Sequence, residues 1–139
     1  MADCIFCQIL AGDVPSRTVY EDDAVFAFLD VNPLARGHTL VVPKAHHERL
    51  NDLSADAAAD LFAATHDLTD RVERAVDADA TTVAVNNGTA AGQEVPHVHV
   101  HVVPRFEGDG GKPIHAIVDS HPEMDDAELD AVAEDIRSA

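Results

Sequence analysis

The chain has 139 residues, of which 26 are Asp or Glu and 9 are Lys or Arg, for a formal net charge of −17 and a hydrophobic fraction of 46%. That length suits a single domain over 1–139, whose folding buries roughly two thirds of the surface that the unfolded chain exposes. The charge excludes nucleic acid polymers and anionic membranes as main partners, and no apolar run approaches the roughly 20 residues that span a bilayer. In chain order, Ile5, Phe6, Ile9 and Leu10 fall at helical spacing within 4–11 and meet Gly12, a helix stop. Asp13-Val14-Pro15-Ser16 reads as a turn. Residues 18–20 and 24–29 are β-prone runs around Glu21-Asp22-Asp23, which predicts a hairpin. Asn32-Pro33 and Arg36-Gly37 punctuate a loop, and 39–42 is a strand that Pro43 stops.

A helix is predicted over 54–77. Ser54 caps it, Asp56 and Asp60 sit near its positive end, and Leu61, Leu68, Val72 and Val76 form its apolar stripe. Residues 81–85 are a strand leading into the polar loop 86–93, and 97–103 are another. Residues 107–113 read as a flexible loop. The C-terminal helix over 125–138 is capped by Asp125 or Asp126 and carries Leu129, Val132, Ala133 and Ile136 at i, i+3, i+4 and i+7. Strands in meanders with separate helices indicate an α+β fold around an antiparallel sheet.

The most informative run is His97-Val98-His99-Val100-His101. On a strand its side chains alternate, so the three histidines share one face and the valines pack the other. Three imidazoles in a row are costly to bury without partners, which a metal, an anion or backbone carbonyls can provide. The loop from Asn86 to Gln93 offers backbone N–H groups with few large side chains, as an anion cradle does. Imidazole attacks phosphorus in its neutral form when its other nitrogen donates to a carbonyl, and the phosphoramidate so formed splits a hard displacement in two. A second histidine can steady the phosphoryl oxygens or protonate a leaving amine. A phosphate-handling site therefore stands ahead of a wholly metal-binding one.

The run from His97 to Val103 resembles the signature of the histidine triad, or HIT, family. Cys4-Ile5-Phe6-Cys7-Gln8-Ile9 resembles that family's opening helix, and Phe28-Leu29-Asp30-Val31 its nucleoside-side strand. Residues 37–46, Gly-His-Thr-Leu-Val-Val-Pro-Lys-Ala-His, resemble its central strand, and Asn86 with Gly92-Gln93 its phosphate loop. The similarity is greatest to the Hint-like branch of nucleoside phosphoramidases. It implies a HIT fold with about five antiparallel strands and two main helices, a homodimer with one continuous sheet, and a purine nucleotide-type substrate. It implies that His99 is the nucleophile toward the α-phosphorus. His101 would contact the phosphate or bridging atom and assist the leaving group, with His97 completing the catalytic triad. Asn86, Gly92, Gln93 and Glu94 would hold or orient the phosphate, Asp30 would accept from the ribose hydroxyls, and Phe6, Ile9 and Phe28 would line the base pocket.

The implied reaction cleaves a nucleoside 5′-monophosphate from an amine or phosphate through a nucleotidyl-histidine, with no catalytic metal. The alternatives are a dinucleoside polyphosphate hydrolase, a nucleotidyltransferase, and a nucleotide-binding interaction module without catalysis. One departure stands out: Glu94 occupies a position where relatives usually carry Ser or Thr, so an acceptor replaces a hydroxyl donor.

Cys4 and Cys7 are the only cysteines. A Cys-x-x-Cys pair outside a βαβ context suggests a metal more than a disulfide or redox motif. The resemblance to zinc-bearing relatives implies that His46 and His97 complete a tetrahedral set holding a structural zinc. The other reading is a pair of buried thiols with His46 bonded into the triad network. His38, His66, His115 and His121 read as surface or packing histidines. The N-terminus lacks a basic stretch and an apolar signal core, so the expected location is the cytoplasm. The acids are spread over the whole chain and read as a solvated, halophile-like surface.

Overall fold

Residues 24–29 and 39–43 are nearly continuous apolar runs. Such runs suit strands covered on both faces. In the computed structural model, which describes residues 3–139, these runs become β2 (Val25–Leu29) and β3 (Thr39–Pro43). They lie inside a five-stranded sheet with β1 (Thr18–Glu21), β4 (Ala80–Ala84) and β5 (Val100–Arg105). The order is β1-β2-β3-β5-β4 and every pairing is antiparallel. The described residues form two compact units, one ending at Asp109 and the other running Gly110–Ala139.

In the first unit the two sheet faces carry different elements. Val25, Ala27, Val41, Val100 and Val102 point to α2 (Ala55–Val76) and pack with its Leu61, Ala64, Leu68 and Val72. The Ser54 hydroxyl caps α2 by accepting from the Ala57 N–H at 3.1 Å. At its other end Asp77 turns the chain with a left-handed φ of 55°. The buried stripe of α2 is Leu61, Ala64, Thr65, Leu68 and Val72, whereas Val76 is only half-buried. Thr65 enters this stripe because its hydroxyl donates to the Leu61 carbonyl at 2.8 Å and so needs no water.

The opposite face carries Phe26, Phe28, Leu40 and Val42, packed with Cys4 and Phe6. Phe6 lies on α1 (Ile5–Leu10), with Cys4 as its N-cap. Gly12, at φ +86°, ends this segment.

One boundary differs from expectation. β5 begins at Val100, not at His97. Its register against β3 pairs Val41 with Val100 and Leu40 with His101, so Val98 would fall opposite Pro43. Pro43 has no N–H to donate, and its carbonyl already accepts from His97 Nε2–H at 2.8 Å. The Val98 N–H turns instead to the His47 carbonyl, also at 2.8 Å. The ladder therefore stops where the histidines start.

In the second unit a 3-10 turn over Ile114–Ala116 precedes α3 (Asp126–Ser138). Asp125 caps α3 by accepting from the Glu128 N–H at 2.9 Å, and Leu129, Val132 and Ile136 are exposed on the helix surface.

Candidate active site and metal-ligand cluster

A cavity of about 480 Å³ opens on the sheet face beside α1. Ile5, Phe6 and Ile9 from α1 and Phe28 and Leu40 from the sheet form its apolar walls. Phe6 stands edge-on to Phe28 at 5.4 Å and edge-on to the His99 ring at 5.1 Å. Asp30, His38, Asn86, Gly92, Glu94, His99 and His101 supply its polar lining. Gly92 has a φ of +98°, which keeps the backbone bare beside Asn86.

Hydrogen bonds assign the tautomers. His99 Nδ1–H donates to the carbonyl of His97 at 2.8 Å, since a carbonyl only accepts. The His99 Nε2 lone pair is thereby left for the cavity. A second chain starts at the Leu34 N–H, which donates to His38 Nδ1 at 3.0 Å. The proton of neutral His38 must then sit on Nε2, and it donates to His101 Nδ1 at 3.0 Å. His101 in turn carries its proton on Nε2. Side by side, with ring centres 5.0 Å apart, His99 therefore offers a lone pair and His101 an N–H.

Electrostatics keep these rings neutral. Burial lowers the His99 pKa, partly offset by the His97 carbonyl and by Asp30. Burial also pushes His101 down to about 4, helped by the neighbouring His99 and His38. His38 is lowered by burial and raised by Asp30, whose Oδ2 lies 3.7 Å from its Nε2. The other Asp30 oxygen accepts from the Asn32 N–H at 2.9 Å.

His97 belongs to a different set. Its Nε2–H donates to the Pro43 carbonyl, which frees Nδ1 as a ligand. That nitrogen lies 3.5 Å from Cys4 Sγ, 3.6 Å from Cys7 Sγ and 3.2 Å from His46 Nδ1, and His46 Nδ1 lies 3.3 Å from Cys7 Sγ. With Zn–S bonds of about 2.3 Å and Zn–N bonds of about 2.0–2.1 Å, a tetrahedral ion separates S from N by about 3.6 Å and N from N by about 3.4 Å. The four donor atoms, all within 4.8 Å of one another, thus match a Cys₂His₂ metal set. Burial, and after it the adjacent Cys4, raises the Cys7 thiol pKa, and a bound cation would favour its thiolate form. The cluster can hold a metal ion.

A family model described as the HIT domain matches residues 11–108. The chain belongs to the HIT family. An uncharacterised HIT-like protein of Methanocaldococcus jannaschii is 42% identical over 134 residues, which cover 96% of this chain and 98% of that one. The HIT fold is shared with a solved Streptococcus mutans protein at a TM-score of 0.90, with 42% identity over 99% of this chain and 85% of the other. Two Hint-like relatives carry named activities. An adenosine 5′-monophosphoramidase of Saccharomyces cerevisiae is 37% identical over 79% of this chain and 67% of its own length. An adenylylsulfatase of Arabidopsis thaliana is 38% identical over 77% of this chain and 54% of its own. A Zn-bound histidine triad protein of Mycobacterium smegmatis superimposes at a TM-score of 0.72, with 36% identity over 99% of this chain and 97% of that one.

Within this HIT fold, Phe6, Ile9, Phe28, Asp30, Asn86, Gly92, Glu94, His99 and His101 all line one cavity. Two expected residues stand behind it. His97 is fully buried and reaches the site through its carbonyl. Gln93 is also buried: its Oε1 accepts from the Gly88 N–H at 2.8 Å, and its Nε2–H₂ donates to the Glu48 and Val95 carbonyls at 2.7 and 2.9 Å. Its side chain shapes the loop. His38, expected at the surface or in packing, is 2% exposed and so packs inside, and it is also bonded to His101. Period-two spacing held the signal, because Leu40 pairs with His101 and His38 lies two residues earlier on the same face.

Proposed function

We propose that this HIT protein hydrolyses a nucleoside 5′-monophosphate joined to an amine, through a nucleotidyl group carried on His99. The carrying observation is the hydrogen bond from His99 Nδ1–H to the His97 carbonyl, which turns a neutral Nε2 lone pair on the cavity. The phosphoramidase name of the Saccharomyces cerevisiae relative supports the same reaction class.

In this reading the base lies between Phe6, Ile9 and Phe28, and Asp30 accepts from the ribose hydroxyls. His99 Nε2 attacks the α-phosphorus, a P–N bond to His99 forms, and the P–N bond to the amine breaks. His101 donates a hydrogen bond from its Nε2–H to the departing nitrogen and keeps its proton, while the amine takes its proton from solvent as it leaves. Water then adds its hydroxyl to phosphorus and gives its other proton to solvent, which releases His99 and the nucleoside monophosphate. The His97 carbonyl stabilises the positive charge on nucleotidyl-His99 by accepting from Nδ1–H. Asn86, on the cavity wall, supplies a side-chain amide N–H to a phosphoryl oxygen.

The Cys4, Cys7, His46 and His97 set holds a structural zinc in this reading, supported by the tetrahedral spacing of its donors. When bound, the ion ties α1 to the sheet and leaves His99 free. Two copies associate through an unpaired sheet edge into one continuous sheet. A purine nucleotide is the substrate class, and the protein acts in the cytoplasm. No helix among the described residues is long and apolar enough to cross a membrane.

The test is to incubate the protein with an adenosine phosphoramidate, quench in denaturant and map the adduct by mass spectrometry. A nucleotidyl group is expected on His99. Turnover with the adduct on another residue, or no turnover and no adduct, overturns the reading.

A further inference from the structure

We infer that Glu94 selects the leaving group, favouring a nucleoside phosphoramidate whose amine carries a positive charge over one that is neutral or anionic. This rests on the phosphoramidase reading and deepens it.

The cavity lining contains two carboxylates, Asp30 and Glu94, five His and Asn side chains that include neutral His99 and His101, and no Lys or Arg. The carboxylates are placed differently. Asp30 accepts from the Asn32 N–H and faces His38, so it is engaged with the protein. Glu94 is exposed, and among the described residues its carboxylate has no hydrogen-bond or ion-pair partner.

Its backbone is nevertheless well placed. The preceding residue, Gln93, is anchored by three hydrogen bonds to the backbone of Gly88, Glu48 and Val95. Glu94 therefore sits on a braced loop whose Asn86 and Gly92 share the cavity with the two histidines. A cation does stand beside this loop, but Arg49 packs near Gly88 and does not line the cavity.

A nucleotide seated with its base against Phe6, Ile9 and Phe28 presents phosphorus to His99. Its leaving group continues past the phosphate into the polar end, where Glu94 is the unpaired charge. An anionic leaving group, such as sulfate or a further phosphate, adds negative charge beside a carboxylate with no cation to offset it. An ammonium on the leaving amine instead gains a partner that is already in place and undersolvated by neither burial nor a competing ion pair. Acting across partly aqueous space, such a charge changes rates by roughly 3- to 10-fold per unit of leaving-group charge.

Three adenosine 5′-phosphoramidates of matched length provide the test: those of n-propylamine, 1,3-diaminopropane and β-alanine, with neutral, cationic and anionic ends. kcat/KM is measured for each with the wild type, Glu94→Gln and Glu94→Ser. The ratio of wild type to variant for each substrate cancels the intrinsic reactivity of the amine. The expected ratio is highest for diaminopropane, intermediate for propylamine and lowest for β-alanine, spanning roughly 10-fold or more, and molar KCl should compress it in the wild type without any mutation. Equal ratios for all three, or a spread indifferent to salt, overturn the role of Glu94 while leaving the phosphoramidase reading intact. Failure of the wild type to turn over any of the three removes that reading and this inference with it.

Discussion

His97 and His99 are two residues apart on one chain segment, and both are buried neutral imidazoles bonded to a backbone carbonyl. They differ in which nitrogen makes that bond. His97 gives Nε2–H to Pro43 and turns Nδ1 toward two sulfurs and His46. His99 gives Nδ1–H to His97 and turns Nε2 toward the cavity. The position of each ring's acceptor thus turns the first toward a ligand cluster and the second toward the cavity. It also links the two, because the carbonyl that orients His99 belongs to the residue that the cluster holds.

The sharpest break in this comparison is His99→Ala. It should reduce kcat/KM for an adenosine phosphoramidate by about 10³-fold or more and abolish the adduct, while metal content stays at the wild-type level. The reciprocal change is Cys4→Ala. Metal measured on the purified chain should fall, and the melting temperature should drop by roughly 10 °C, as expected when a ligand held at about 100 times its Kd is lost. His99 should still accept the nucleotide, more slowly.

A smaller effect is expected from His38→Leu, which loses the Nε2–H that orders His101. Steady-state kinetics should show kcat lower by roughly 10- to 100-fold with KM changed little, because the nucleoside walls are untouched.

A separate effect falls on stability against pH. His101 titrates at about 4 in the folded chain and near 6.5 when unfolded. Below pH 6.5 the unfolded state binds more protons, so stability falls as pH drops from about 6.5 to 4, by up to about 1.4 kcal/mol per pH unit for this one group. Urea unfolding across that window should show a larger fall in the wild type than in His101→Asn.

Much of this was legible from the chain. Alternation along 97–103 put the histidines on one face, Ser54 and the apolar spacing after it located α2, and the Cys-x-x-Cys pair marked a metal set. The resemblance carried by those same residues placed Phe6, Asp30, Asn86 and His99 around one substrate, and they do line one cavity. Local spacing could do this because period-two and period-3.6 patterns report which side chains share a face.

Other features lie beyond local spacing. His38 joined the site because β3 pairs with β5 at Leu40 and His101, 61 positions apart. Gln93 proved to be a brace because three carbonyl and N–H groups from separate segments converge on its amide. The tautomers of His97 and His99 depend on carbonyls whose positions are set only once Pro43 ends its strand and the His97 backbone turns out of the ladder. The sequence by itself determined which side chains were present and which faces they occupied. Only the tertiary structure decided which nitrogen of each imidazole was free, since hydrogen-bond partners distant in sequence make that choice.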